Sequence, residues 1–320
     1  MDRRVVRFGI SVICFSILLR LFGGILRVAH ANGVDPALFS VITLLQSGYA
    51  VHYPDFTPPA TEESLPVEPA LPVFSPLDAS GLSLRYSCSY RPDLKKLLAQ
   101  PLSWDLQDGQ PAVLIVHTHA SECYTKSPGE DFSFSGAWRT TNTHYNMVSV
   151  GDELARLLEA GGIRVIHDKA LHDHPSYNSA YSNARKSIRS YLKKYPTIRM
   201  VIDLHRDAAS TPSGQLDTSA TVNGQQSAQL MLVVGTDASG NRHPNWQKNL
   251  SLALKLHTVL ERIHPGVTRP GNLRKERFNT DLTAGSLLVE VGAAGNTREE
   301  ALIAAGALAE AILTLAKGSA

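Results

Sequence analysis

The chain has 320 residues, with 31 lysines and arginines against 29 aspartates and glutamates, for a formal net charge of +2. That length builds one large domain or two small ones with an ample core. The near-neutral balance leaves no electrostatic footprint for nucleic acid, so no nucleic-acid partner is expected.

The first element is apolar. Residues 5–28 read VVRFGISVICFSILLRLFGGILRV, behind Arg3 and Arg4, and a bilayer needs about 20 such residues. Arg20 interrupts the run, but a long arginine side chain can snorkel to an interface. The basic residues ahead of the run favour a cytoplasmic N-terminus. Residues 1–31 therefore read as a single-pass anchor in the cell membrane, with the body outside the cytoplasm. Ala29-His30-Ala31 also fits a signal-peptide cleavage site, so a cleaved leader remains the alternative. Cys14 falls inside this run, and Cys88 and Cys123 read as free thiols rather than a pair.

Residues 37–48 suggest a short amphipathic helix. Residues 53–76 then carry seven prolines, which excludes helix and central strand and gives a semi-stiff, extended tether. The whole of 32–110 is read as a spacer.

From Pro111 the pattern changes. Apolar, strand-like runs occur at 112–117, 163–167, 198–204, 229–235 and 286–291. Helical patterns occupy 146–160, 178–194, 246–263 and 297–316, the first closing on Gly161-Gly162, a helix stop signal. Buried strands alternating with helices predict an α/β domain over 111–320, with a mostly parallel central sheet and helices on both faces. Ligands of such sheets gather at the carboxyl ends of the strands.

Three predicted strands end in side chains suited to metal or proton chemistry. The first leads into His117, His119 and Glu122, the third carries Asp203 and His205, and the last carries Glu290. Strand alternation places His117 with His119, and Asp203 with His205. Imidazole and carboxylate are good Zn²⁺ ligands, and a catalytic site uses three of them with the fourth position open. Asp203 could orient a ligand histidine. Glu290 stands among Leu287, Leu288, Val289 and Val291, where an ionised carboxylate is costly without compensation; it is the candidate general base.

Other candidates read as peripheral. His144 precedes a helix and suggests a cap or a substrate contact. His167, His172 and His174 crowd a loop read as structural or substrate-facing. Arg139 and Arg206 could hold a substrate carboxylate or form surface ion pairs. His243, His257 and His264 lie on or beside a polar helix face. No G-x-S-x-G, G-x-G-x-x-G or Walker loop is present.

The blocks HTHASECY, RTTNTHYNMVSVGDEL, VIHDKALHDHPSYNSAY, VIDLHRDA and LLVEVGAAGNTREEA, in order over residues 110–316, resemble the stage II sporulation protein P family, relatives of the zinc-dependent N-acetylmuramoyl-L-alanine amidases. The resemblance implies a Zn²⁺ peptidoglycan hydrolase on the outer face of a membrane. It would cut the muramoyl–L-alanine amide, and the family is also associated with cleavage of peptide cross-links. The setting implied is engulfment during sporulation, with a lytic transglycosylase and an integral membrane protein as partners. His119 matches the first ligand position of the wider amidase fold, His205 the third, and Glu290 the acid-base carboxylate. The second position there is a glutamate before the following helix. This chain has none between Asp131 and Gly151, only Asn142 and His144, so Glu122 or His117 is expected to serve. Arg206 is the expected helper for oxyanion charge.

Overall fold

The structure, a computed structural model, describes residues 82–102, 105–135, 137–211 and 214–317. The predicted anchor, leader site, amphipathic helix and proline-rich tether lie outside them. Among the described residues no helix is long and apolar enough to cross a membrane.

The central sheet has seven strands, β1 (Leu84–Ser87), β2 (Val113–Val116), β3 (Val165–His167), β4 (Met200–Asp207), β9 (Leu230–Gly235), β10 (Gly271–Arg274) and β11 (Ser286–Ala293), in the order β1-β10-β9-β11-β4-β2-β3. Two short hairpins, β5 (Ser210–Thr211) with β6 (Gly214–Gln215) and β7 (Ser219–Val222) with β8 (Gln225–Ala228), stand apart from it. Every neighbouring pair in the large sheet is parallel except β11 with β9. The sheet is thus two parallel blocks running in opposite directions. The carboxyl ends of β2, β4 and β11 meet the amino ends of β9 and β10 at the seam, where a crevice is expected.

Alternation sorts the strand residues into two faces. Val113, Ile115, Ile202, Leu204, Leu232, Val234, Leu273, Val289 and Val291 join the main core. Helices α2 (Met147–Ala160), α4 (Trp246–Ile263) and α5 (Arg298–Lys317) cover that face. Leu114, Val116 and Val201 point the other way, into a smaller cluster with Ala184 and Ile188 of α3 (Ala180–Lys194). Helices on both faces were predicted. On this second face α3 covers the β2 side alone; over β11, β9, β10 and β1 no described helix lies, and that surface is a groove.

The sequence places the helix ends. Asn146 caps α2 by accepting a hydrogen bond from the Val148 N–H, and Gly162, at φ 91°, supplies the left-handed turn beyond it. The spacer reading needs a correction at its end. β1 pairs with β10, and α1 (Leu94–Leu98) packs on α4, its Leu97 and Leu98 buried. The folded body therefore starts well before residue 111.

Candidate active site

The turn after β2 is suspended from two buried carboxylates. Asp203 on β4 accepts the Thr118 N–H at 2.7 Å and its hydroxyl at 2.6 Å. Asp173 accepts the Ser121 hydroxyl at 2.5 Å and, more weakly, its N–H at 3.2 Å. Backbone bonds from Glu122 to the His119 carbonyl and from Met147 to the Glu122 carbonyl lock the rest. Short polar side chains at 118 and 121 therefore fix the residues between and beside them.

That turn brings His119 and Glu122 against His205 of β4. Their ligand-type atoms all lie within 4.8 Å of one another, and all three residues are buried. Glu122 Oε1 is 3.6 Å from His119 Nδ1, and its Oε2 is 3.4 Å from His205 Nδ1. Asp203 Oδ1 stands 3.0 Å from the other nitrogen of the His205 ring, a contact that would orient the ring and leave Nδ1 facing Glu122. Two imidazoles and one carboxylate facing a groove are donors that could hold a divalent metal ion. Their convergence, in a place where a lone carboxylate is costly, fits a divalent cation.

The electrostatics are those of a compensated buried cluster. Burial pushes the Glu122 carboxyl up, but His119, His205 and Arg206 outweigh it and hold the group well below the usual carboxylate range. Burial likewise opposes charge on His205, yet Asp203 and Glu122 raise it well above an ordinary imidazole. A cation entering this cluster must displace the His205 proton.

Glu290 pairs with His205 across the β11–β4 ladder and lines the same groove. Its Oε2 is buried without a hydrogen-bond partner among the described residues. Burial raises its pKa from 4.5 to about 7, with His205 and Arg269 pulling down and Glu122 and Asp207 pushing up. The groove, about 610 Å³, continues past Glu290 along Met231, Asn272, Arg274 and Arg85.

His117 lies elsewhere. Strand alternation at Val116 turns its side chain to the α2 face, where Nδ1 donates to the Leu204 carbonyl at 3.2 Å and Nε2 meets His167 Nε2 at 2.8 Å. The pairing of His117 with His119 on one face is thus corrected: the strand ends at Val116 and the turn sends His119 across the sheet. Of the two alternatives for the middle ligand, Glu122 joins the cluster.

Arg206 is also corrected. It is 3% exposed; Nε donates to the Cys123 carbonyl at 3.1 Å, and Nη2 to those of Ala137 and Trp138 at 2.9 and 2.8 Å. Nη1 is 3.9 Å from Glu122. The Nε–Nη2 edge of the guanidinium is taken up in stapling the loop, and Nη1 faces Glu122. His144 is exposed, and Asn146 takes the capping role. His172 bonds Asp168 at 3.0 Å, and His243 and His264 bond Thr280 and Glu310 away from the groove. Cys88 and Cys123 are free; burial lifts the Cys123 thiol to about 12.

Sequence reasoning missed Tyr177 and Tyr181. Tyr177 stacks on the His119 ring at 4.5 Å and 20°, with the Arg139 guanidinium 3.9 Å from its own ring centre. Tyr181 meets His119 edge-on at 5.4 Å. Their spacing of four, on one side of a nascent helix, was the available signal.

Comparison with known proteins agrees with the resemblance. Stage II sporulation protein P of Bacillus subtilis (strain 168) is 29% identical over 212 residues, covering 62% of this chain and 49% of that protein. The chain thus spans about half the length of the curated relative it matches. Among solved structures, the CwlD amidase from Clostridioides difficile in complex with the GerS lipoprotein aligns with TM-score 0.40 and 12% identity, over 65% of this chain and 98% of that one. An N-acetylmuramyl-L-alanine amidase from Mycobacterium smegmatis aligns with TM-score 0.39 and 14% identity, over 67% and 99%. These two likenesses are too low to bring residues into correspondence. The stage II sporulation protein P family model matches residues 67–313, most of the chain, and the chain belongs to that family.

Proposed function

We propose that the chain is a zinc-dependent peptidoglycan hydrolase that cleaves the amide between N-acetylmuramic acid and L-alanine, and acts on the septal wall during sporulation. The observation that carries this reading is the convergence of His119, Glu122 and His205 with Glu290 beside them in one groove. The groove, built on a sheet face, suits a polymer substrate.

His119, Glu122 and His205 would hold the ion, Asp203 would orient His205, and Arg206 would keep Glu122 in place. When bound, zinc supplies Lewis acidity that polarises the amide carbonyl and makes water acidic enough to react at neutral pH. Glu290 accepts the proton from the attacking water and delivers it to the leaving nitrogen. The C–N bond breaks, giving a muramoyl carboxylate and a free L-alanine amine.

In this reading residues 1–31 anchor the chain in the cell membrane, the spacer spans the gap to the wall, and residues from about 82 onward form the hydrolase. A lytic transglycosylase and an integral membrane protein are the partners proposed, on the strength of the family. Cleavage of peptide cross-links is a second activity the same groove could serve.

The test is digestion of purified sacculi. The zinc-loaded protein should release stem peptides with new L-alanine amino termini. Glu290→Gln should keep its zinc and release none. A protein that binds zinc and sacculi but frees no L-alanine amine is a wall binder, and the amidase reading then fails.

A further inference from the structure

Arg269 holds unused hydrogen-bonding capacity close to the cluster. Its Nη1 donates to Asp207 Oδ2 at 2.8 Å. Nε and Nη2 are buried and have no partner among the described residues. These two nitrogens form the side-on edge of the guanidinium, the edge that grips both oxygens of a carboxylate at once. A buried donor pair left unmet is costly, and an anionic ligand would recover that cost.

The surroundings indicate which ligand. The Arg269 N–H bonds the Leu230 carbonyl, which sets the residue beside the start of β9, where Met231 pairs with Glu290. Arg269 therefore flanks the proposed base, in the same groove. Further out, Asn272 and Arg274 of β10 and Arg85 of β1 line that groove, Arg85 pairing with Asn272 across the ladder. Strands lie about 4.8 Å apart, so β10 is roughly 10 Å and β1 roughly 14 Å from β11. An extended peptide advances about 3.4 Å per residue. Acid groups on the second to fourth residues beyond a scissile bond at Glu290 would fall opposite this row. Apart from Glu290 itself, the acids nearby are paired, Asp207 with Arg269 and Glu276 with Arg274 at 3.0 Å.

Resting on the amidase reading above, we propose that Arg269, aided by Asn272, Arg274 and Arg85, is a carboxylate subsite that selects peptides with free acid groups near the scissile amide over their amidated counterparts. The fork is covered in the free protein, so the guanidinium swings toward the groove, pivoting on Asp207, as the acid enters.

The experiment compares matched N-acetylmuramoyl peptides with side-chain and terminal carboxylates either free or converted to carboxamides. The wild-type chain should prefer the acid form by about tenfold or more in kcat/KM. Arg269→Gln should bring that preference toward one, with Arg269→Lys in between, since it keeps charge without the fork. Equilibrium binding of the same peptides to Glu290→Gln, with and without Arg269→Gln, reads the subsite without turnover. If the amide is never cleaved but the acid form still binds better through Arg269, the subsite stands and the amidase reading falls. If acid and amide behave alike in the wild type, or Arg269→Gln weakens both by the same factor, Arg269 is structural and the subsite is overturned. Should Arg269→Gln fail to fold, the exposed Arg85→Gln decides: a preference reduced about threefold supports the subsite, and an unchanged one overturns it.

Discussion

Oε2 of Glu122 lies 3.4 Å from Nδ1 of His205, and the same carboxylate reaches His119 with its other oxygen. Glu122 is thus the residue that makes two separate strand ends into one donor set. Glu122→Gln should lower zinc affinity by more than the roughly 10–100-fold that loss of an outer partner costs. It should also leave the buried Arg206 charge uncompensated and cost about 3 kcal/mol of stability. Metal analysis after dialysis and a denaturant melt check both; stoichiometric zinc in the variant would remove Glu122 from the site.

His117 separates the two candidate middle ligands by the opposite outcome. Burial and the neighbouring His167 lower its pKa to about 3, so it is neutral and structural at working pH. His117→Asn should retain full zinc while losing about 1–3 kcal/mol, as the Leu204 carbonyl and His167 lose their partner. Gly151→Ala probes the same contact from α2, because a Cβ there would stand 2.5 Å from Nε2 of both histidines. It should destabilise by a similar amount, again without changing zinc content, as melts and metal analysis would report.

These two residues show what the sequence carries and what it conceals. β2, β4 and β11 are legible because burial on both faces leaves near-continuous apolar runs, and Glu290 and His205 stand out against them. His117 was misplaced because nothing in its local pattern shows that β2 ends one residue earlier. β1 and β10, reading LRYS and GNLR, escaped notice for a functional reason. They are four residues long, and one face of each lines the polar groove, so their apolar alternation is cut to one or two residues. The reversal at β9 is equally silent, since a buried strand has the same composition in either direction. Tyr177 sits in a single 3₁₀ turn just before α3, so only its spacing of four from Tyr181 reports it.

The Tyr177 ring is one of the few large apolar groups left exposed, at 43%, and it is sandwiched in a contact chain from Arg139 to His119. Its role follows from the ring face and not the hydroxyl. Tyr177→Phe should behave like wild type. Tyr177→Ala frees the His119 ring and should lower kcat/KM about tenfold, the effect of roughly 1 kcal/mol of lost aromatic contact. Stability should change little at so exposed a site. Equal losses in both variants would instead implicate the hydroxyl in substrate contact.

Glu290 makes the metal-free protein sensitive to pH. Its carboxyl titrates near 4.5 when unfolded and at about 7 when folded. Between those values the folded chain keeps a proton that the unfolded chain has released, so this group's contribution to stability falls as pH rises from 4.5 to 7 and the penalty is complete above 7. Partial exposure to the groove screens the charge, which brings the full penalty to about 2 kcal/mol. Glu290→Gln removes the ionisable group while keeping its shape. Without metal the variant should therefore melt higher than the parent at pH 8, by about 2 kcal/mol of stability, and match it near pH 4. Zinc should shrink the gap at pH 8, because a cation beside the carboxylate offsets the burial that raised it. Denaturant melts at the two pH values, with and without zinc, measure all four terms; a gap that does not depend on pH would mean that the Glu290 carboxylate is already compensated without the ion.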